Sequence, residues 1–181
     1  MGFFLFGYSQ TNSSMTIEEA SAYLSTQDHK NSKDIHEGEE SYELFRKAEI
    51  GDIIITENIV CRVVARKKIN IYNAGYIYLN TNEISDDEIK SITDTIMKNL
   101  KEGISFKDLS RKYSMDKNPN AAEMIFSEGQ MVPGFEKAVK EHSKGDVFIV
   151  ETPEEGWYHI VKKNEENKFV NAITVEYVYY R

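Results

Sequence analysis

The sequence predicts an α+β fold in which helices cover an antiparallel sheet. Three observations predict it. After Ile69 the apolar pattern runs strand, long helix, short helix, loop, helix, strand, strand. No glycine-rich turn follows the first of those strands, so neither a dinucleotide site nor a P-loop is supported. The strands are also too few for a doubly wound parallel sheet.

Each element has its own signal. Residues 15–25 read as a helix, with Thr16 and Glu19 at capping-box spacing and Ile17, Ala20 and Leu24 on one face. Residues 26–40 are polar and charged and read as a loop or linker. His29 and His36 lie there among Asp28, Asp34 and Glu37, at a spacing that fits no metal-ligand template. A short helix over residues 41–48 carries Tyr42, Leu44, Phe45 and Ala48. Three β-branched or aromatic runs follow, at residues 53–55, 59–65 and 69–79, and each reads as a strand. Arg66, Lys67 and Lys68 between the last two read as a solvated turn.

Beyond residue 84 the signals sharpen. Ser85 and Glu88 make a capping box, and Ile84 is placed to staple onto Ile89. Ile89, Ile92, Ile96 and Leu100 then repeat at helical spacing until Gly103, where a C-terminal cap belongs. Ser105 caps a shorter helix that turns Phe106 and Leu109 inward. Residues 114–130 read as mostly irregular. Pro133 opens a third helix, with Phe135, Ala138 and Val139 on one side and Gly145 as its close. Residues 146–151 and 157–162 read as strands, and Ile173, Val175, Tyr177 and Tyr179 alternate along a last one.

Composition narrows the function classes. Asp and Glu number 30 against 22 Lys and Arg, a net charge of −8, which argues against a nucleic-acid partner because phosphate binding needs a basic face. Aromatic residues at 12% are too many for a disordered chain. The one cysteine, Cys61, excludes an internal disulfide framework, and no Cys/His cluster has zinc spacing. No cofactor is implied. There is no Gly-x-Ser-x-Gly elbow for a serine hydrolase.

The first residues are read separately. Residues 2–8 are apolar, are followed by a polar run, and are too short to cross a bilayer, which takes roughly 20 residues. They look like the end of a signal-peptide h-region. No Lys or Arg precedes Lys30, so the segment is read as a signal peptide truncated at its start. On that reading residues 1–12 are a signal remnant, the mature chain begins near Gln10 or Thr11, and the location is periplasmic. The other reading is a short strand docked on the domain. No cysteine lies near this segment, which excludes a lipid-anchored one, and Cys61 is expected to be buried and inert.

From Asn73 on, short pieces of sequence form an ordered set. They are Ala74-Gly75-Tyr76-Ile77-Tyr78-Leu79, the helix from Ile96 to Lys101-Glu102-Gly103-Ile104-Ser105-Phe106, and Asp108-Leu109-Ser110. Tyr113-Ser114-Met115-Asp116 and Gly129-Gln130-Met131-Val132-Pro133-Gly134-Phe135-Glu136-Lys137-Ala138-Val139 follow. Gly145-Asp146-Val147, Thr152 and His159-Ile160-Val161 close the set. In order and spacing this stretch resembles the parvulin family of peptidyl-prolyl cis/trans isomerases, while residues before 70 and after 168 match no family pattern. The expected organisation is therefore an N-terminal extension of helices and strands at 13–70, a parvulin-like domain at 71–168, and a C-terminal strand at 169–181.

The resemblance implies a mechanism without metal, nucleophile or cofactor. It implies an apolar pocket for the proline ring, formed by Met131 and Phe135 with Phe126 and Gln130 as further substrate-binding residues. A polar set beside the peptide bond would comprise Asp116, His159, Thr152 and Tyr76. Three departures stand out. Tyr76 occupies a position where the family often has histidine, and residues 120–124 replace a glycine-rich turn. Gly156-Trp157-Tyr158-His159 also has one residue more than the common glycine-aromatic-histidine, so either His159 or Tyr158 faces the pocket. Two functions follow. One is a prolyl isomerase assisting exported proteins; the alternative is a catalytically weakened chaperone or secretion or outer-membrane-assembly subunit that grips extended segments. Partners would be proline-containing polypeptides, and the chain is not expected to span a membrane.

Overall fold

The computed structural model describes residues 15–180. The elements are α1 (Ile17–Thr26), β1 (Asn31–His36), α2 (Tyr42–Phe45), β2 (Ile53–Ile55), β3 (Ile59–Asn80), α3 (Asp86–Lys101) and α4 (Phe106–Tyr113). They continue with β4 (Met124–Ser127), α5 (Pro133–Glu141), β5 (Val147–Thr152), a 3-10 turn at Pro153–Glu155, and β6 (Trp157–Tyr179). The fold is mixed, with an antiparallel six-stranded sheet of order β1-β6-β3-β2, β4 on β3 and β5 on β6. The expected signal remnant at residues 1–12 lies outside the described residues. Among the described residues no helix is long and apolar enough to cross a membrane.

The chain divides into two compact units. One runs to Ile69 and resumes at Phe169. Its core joins Ile35 of β1, Phe45 of α2, Cys61 and Val63 of β3, and Ile173 and Val175 of β6. Helix α1 buries Ala20 and Leu24 against Val60 and Val178. Its capping box forms as the spacing predicts, Glu19 N–H donating to Thr16 Oγ1 and Thr16 N–H to Glu19 Oε2.

Two expectations in this unit are corrected. Residues 31–36 are a strand, not a linker, paired antiparallel with residues 172–177. Only Ile35 in it is buried. Its polar side chains are partnered instead: Asp34 accepts from Thr174 at 2.6 Å and pairs with Lys67 at 2.8 Å, so hydrophobic alternation was never there to read. Arg66, Lys67 and Lys68 are exposed as expected but do not form a turn. They lie inside β3, a single 22-residue strand where two had been expected. Arg66 donates to the carbonyls of Phe45, Arg46 and Ala48, serving the orphan acceptors after α2. That helix is only Tyr42–Phe45, shorter than expected.

The other unit is Asn70–Lys168. Side chains alternate across its strands and build two cores. Ile77 and Ile160 pack on one face under α3 and α4, with Ile96, Phe106 and Leu109. Tyr72, Ala74 and Val161 point to the opposite face and meet Phe126, Phe135 and Val139. Helix α3 starts at a capping box, Ser85 N–H donating to Glu88 Oε2 at 2.9 Å, and ends before Gly103 at φ +88°. Asp86, Asp87 and Glu88 in its first turn and Lys98 and Lys101 in its last complement the helix dipole. Ser105 caps α4 through Asp108 N–H at 3.1 Å.

Differences here follow from pairing. Part of the stretch expected to be irregular forms β4, which pairs Met124–Ser127 with Ala74–Ile71. Helix α5 stops at Glu141, and Gly145 sits in the turn that precedes β5. The strands expected at 157–162 and 173–179 are one, because β6 runs unbroken through the polar stretch between them.

Candidate active site

Strand β3 sends Tyr72, Ala74, Tyr76 and Tyr78 to one face by alternation. Antiparallel pairing of β5 with β6 sets Val150 opposite His159 and Thr152 opposite Trp157. Val150 and Val161 belong to the core of that face, so His159 and Trp157 point the same way, toward Phe135. Tyr158 points to the other face, among the residues under α3 and α4. Of the two registers the sequence left open, the structure has His159 on the pocket side.

Asp116 reaches this face from the loop after α4. Its Oδ2 accepts from the Tyr76 hydroxyl at 2.5 Å, and its Oδ1 accepts from Ser114 Oγ at 2.8 Å and Asn118 N–H at 3.3 Å. Ser114 is itself anchored, accepting from Tyr78 N–H at 3.0 Å. Asn118 Nδ2 donates to the Tyr76 oxygen at 2.9 Å. The hydroxyl of Tyr76 therefore both donates and accepts. Burial raises its pKa to about 12, with the hydrogen bond to Asp116 acting in the same direction, so the phenol stays protonated at neutral pH.

His159 is ringed by aromatics. Its centroid lies 5.6 Å from Tyr76, 5.4 Å from Tyr78, 5.6 Å from Phe135 and 6.3 Å from Trp157. Nδ1 is buried and has no hydrogen-bond partner among the described residues. Burial lowers the imidazole pKa, and the Asp116 charge opposes that shift. The ring is therefore neutral at pH 7. Tyr76, Tyr78, Asp116, Trp157 and His159 together line an open cleft of about 260 Å³.

The apolar half adjoins it. Phe135 is 4% exposed and lies edge-on to Tyr76 at 6.4 Å, with Phe126 behind it at 6.1 Å. Met131 is half-buried against the same cluster. Two residues of the expected set stand apart. Thr152 is on the right face but does not line the cleft. Gln130 turns back, its Oε1 accepting from Ser127 N–H at 2.9 Å, so it holds the β4–α5 turn and does not face the pocket. Tyr78 and Trp157 were missed, although counting two residues from Tyr76 and from His159 along their strands would have found both. Ser114 and Asn118 carry no such signal, since only the folded loop brings them to Asp116.

The departure at residues 120–124 has a consequence beside the site. Gly75, next to Tyr76, packs so close to Ala122 that an added Cβ would stand 2.4 Å from the Ala122 carbonyl oxygen. The same oxygen accepts from Asn164 Nδ2 at 3.0 Å, and Tyr76 N–H donates to Ala121 at 2.7 Å. The rearranged turn thus fixes the backbone of Tyr76.

Comparison with known proteins places these residues in context. Residues 58–167 match the family model described as the PPIC-type PPIase domain. Among solved structures, a crystal structure of peptidylprolyl isomerase (PrsA) from Bacillus anthracis is similar at 29% identity, covering 54% of this chain and 42% of that one, with a TM-score of 0.42. The likeness thus takes in less than half of that protein's length. No curated protein matches.

Proposed function

Because the chain belongs to the PPIC-type PPIase domain family, we propose that it catalyses cis/trans isomerisation of Xaa-Pro bonds in polypeptides. The observation that carries this reading is the shared wall between an apolar pocket and a polar centre. Met131 and Phe135, backed by Phe126, offer a surface for the proline ring, and His159 and Tyr76 stand against Phe135 at 5.6 and 6.4 Å.

Rotation about the Xaa-Pro bond meets a barrier of about 20 kcal/mol because amide resonance is lost midway. A catalyst must therefore bind the twisted amide better than the planar one. Phe135 and its neighbours grip the ring and leave the preceding carbonyl to turn. The site is partly dry, and a carbonyl moved into it gives up water that otherwise stabilises the planar form. Twisting localises the nitrogen lone pair, so a donor beside it acts in the transition state alone. Neutral His159 brings one N–H and one lone pair, and Tyr76, its proton committed to Asp116 and one lone pair to Asn118, brings an oriented oxygen with one lone pair left.

We place its clients among exported proteins, on the strength of the apolar residues 2–8 followed by a polar run. A second reading, a chaperone or assembly subunit that binds segments without isomerising them, is favoured by one feature. The unit that ends at Ile69 and resumes at Phe169 has its own core, while the described residues that line the cleft all belong to Asn70–Lys168. Exchange NMR on Xaa-Pro peptides separates the two. Cross-peaks between cis and trans that strengthen with protein at catalytic concentration support the isomerase. Binding without enhanced exchange overturns it in favour of the chaperone.

A further inference from the structure

The cleft beside the proline pocket has a composition that ring binding alone does not need. Three of its five lining residues are Tyr76, Tyr78 and Trp157, and a fourth is the carboxylate of Asp116. Aromatic rings around an acidic group attract cations, because the ring quadrupole and the carboxylate act on the same charge. We propose that this cleft receives the side chain of a lysine or arginine adjoining the substrate proline, with Asp116 setting the specificity. The proposal rests on the isomerase reading above and names its substrate class.

Four observations carry it. First, Asp116 accepts hydrogen bonds from neutral groups alone and has no cationic partner among the described residues. Its Oδ2 accepts only from Tyr76, leaving a lone pair open, and no ion pair among the described residues uses this carboxylate. Second, more than one carboxylate acts at this rim. Glu83 and Asp116 both raise the pKa of the Tyr78 hydroxyl, after the larger effect of burial, so two carboxylates bear on this rim. Third, His159 adds no opposing charge at neutral pH, because burial keeps it neutral. Fourth, the geometry matches neighbouring residues of one peptide. The Phe135 ring that would face proline is 5.6 Å from His159, and consecutive Cα atoms are about 3.8 Å apart.

An acidic or phosphorylated residue at the same place would meet Asp116 without compensation. A leucine would cover the rings but leave the carboxylate facing an apolar group. Lysine and arginine answer both features, their methylene stems on the aromatics and their charge at Asp116.

The test uses the full chain and three peptides that differ only in the residue before proline: lysine, leucine or glutamate. Trp157 is the chain's single tryptophan and lines the cleft, so its fluorescence reports binding independently of turnover. Exchange NMR on the same peptides reports kcat/KM. The expected order is lysine over leucine over glutamate, with lysine preferred to glutamate by on the order of tenfold in both readouts. Asp116→Asn is expected to collapse the lysine-to-glutamate ratio toward one, whatever it does to the absolute rate. Raising salt should narrow the ratio in the parent and leave Asp116→Asn unaffected. Equal binding and equal rates for the three peptides would overturn the specificity while leaving the isomerase reading standing. Charge-selective binding with no exchange would support the cation cleft and overturn the isomerase. Neither binding nor exchange would overturn both.

Discussion

Thr93 Oγ1 and the Tyr158 hydroxyl meet at 3.4 Å behind the sheet, and that contact bears on which way His159 points. Tyr158 is held under α3 with Ile96 and Ile160, and strand alternation then sends its neighbour to the opposite face. The extra residue between Gly156 and His159 is absorbed by the turn. Gly156 takes φ +69° after the 3-10 segment, and its carbonyl accepts from Thr81 N–H at 2.9 Å. The histidine thus reaches the site by the same sheet that buries the tyrosine.

Phe135→Ala should weaken binding of proline peptides more than any change at His159. The side chain is 4% exposed, so its loss is expected to cost about 3 kcal/mol of stability as well. Phe135→Leu keeps most of the packing and is expected to retain part of the affinity. Peptide titrations beside denaturant curves separate the two effects. Tight binding by a folded Phe135→Ala chain would place the ring pocket elsewhere.

Tyr76→Phe deletes one hydroxyl that both donates to Asp116 and accepts from Asn118. The exposed carboxylate is resolvated, so the expected loss of stability is about 1 kcal/mol. Exchange rates should fall by roughly tenfold, the equivalent of one hydrogen bond of about 1.4 kcal/mol lost from the transition state. An unchanged rate would leave the tyrosine a purely structural replacement for the histidine common at this position.

The pH dependence of stability has a definite sign at His159. Its pKa in the folded chain is lowered by burial, so the unfolded chain takes up the proton first as pH falls. The contribution is complete above the ordinary histidine value of about 6.5 and is lost as pH drops through the folded value. Denaturation midpoints should therefore decline on acidification through this window. His159→Gln should show a shallower decline, and an identical profile would mean that another group titrates there.

Two glycines give opposite expectations. Gly75→Ala puts a methyl group 2.4 Å from the Ala122 carbonyl oxygen, a backbone atom that cannot swing away. The variant should lose about 3 kcal/mol, and exchange activity should fall because Tyr76 is the next residue. Gly134, inside the first turn of α5, has nothing within 4 Å of an added Cβ. Gly134→Ala should stabilise the chain by about 0.5 kcal/mol. Urea unfolding of both variants measures the contrast.

How far the fold could be read from sequence depended on where polar groups find partners. Helices α3 and α4 announce themselves through local chemistry, Ser85 with Glu88 and Ser105 with Asp108, and each cap forms as its spacing implies. Strand β1 was illegible because Asp34 is satisfied by Thr174 and Lys67, residues far away in the chain. Arg66 misled for the same reason, its partners being carbonyls at and just beyond the end of α2. At the candidate site, the family pattern pointed to Asp116, His159, Met131 and Phe135, which the fold brings to one face. The roles of Ser114 and Asn118 were not, because a loop conformation, and no periodicity, delivers them.

Cys61 is fully buried, and desolvation pushes its thiol up to about 12, which leaves almost no thiolate to react at neutral pH. Lys163 is fully buried too, its Nζ donating to the Val139 carbonyl at 2.8 Å. One belongs to each compact unit. A thiol reagent and an amine reagent applied together therefore act as two clocks: modification at Cys61 times the opening of one unit, and modification at Lys163 times the other. Peptide mapping after staged quenching would show whether client binding slows one clock, both or neither, with no mutation introduced into the chain.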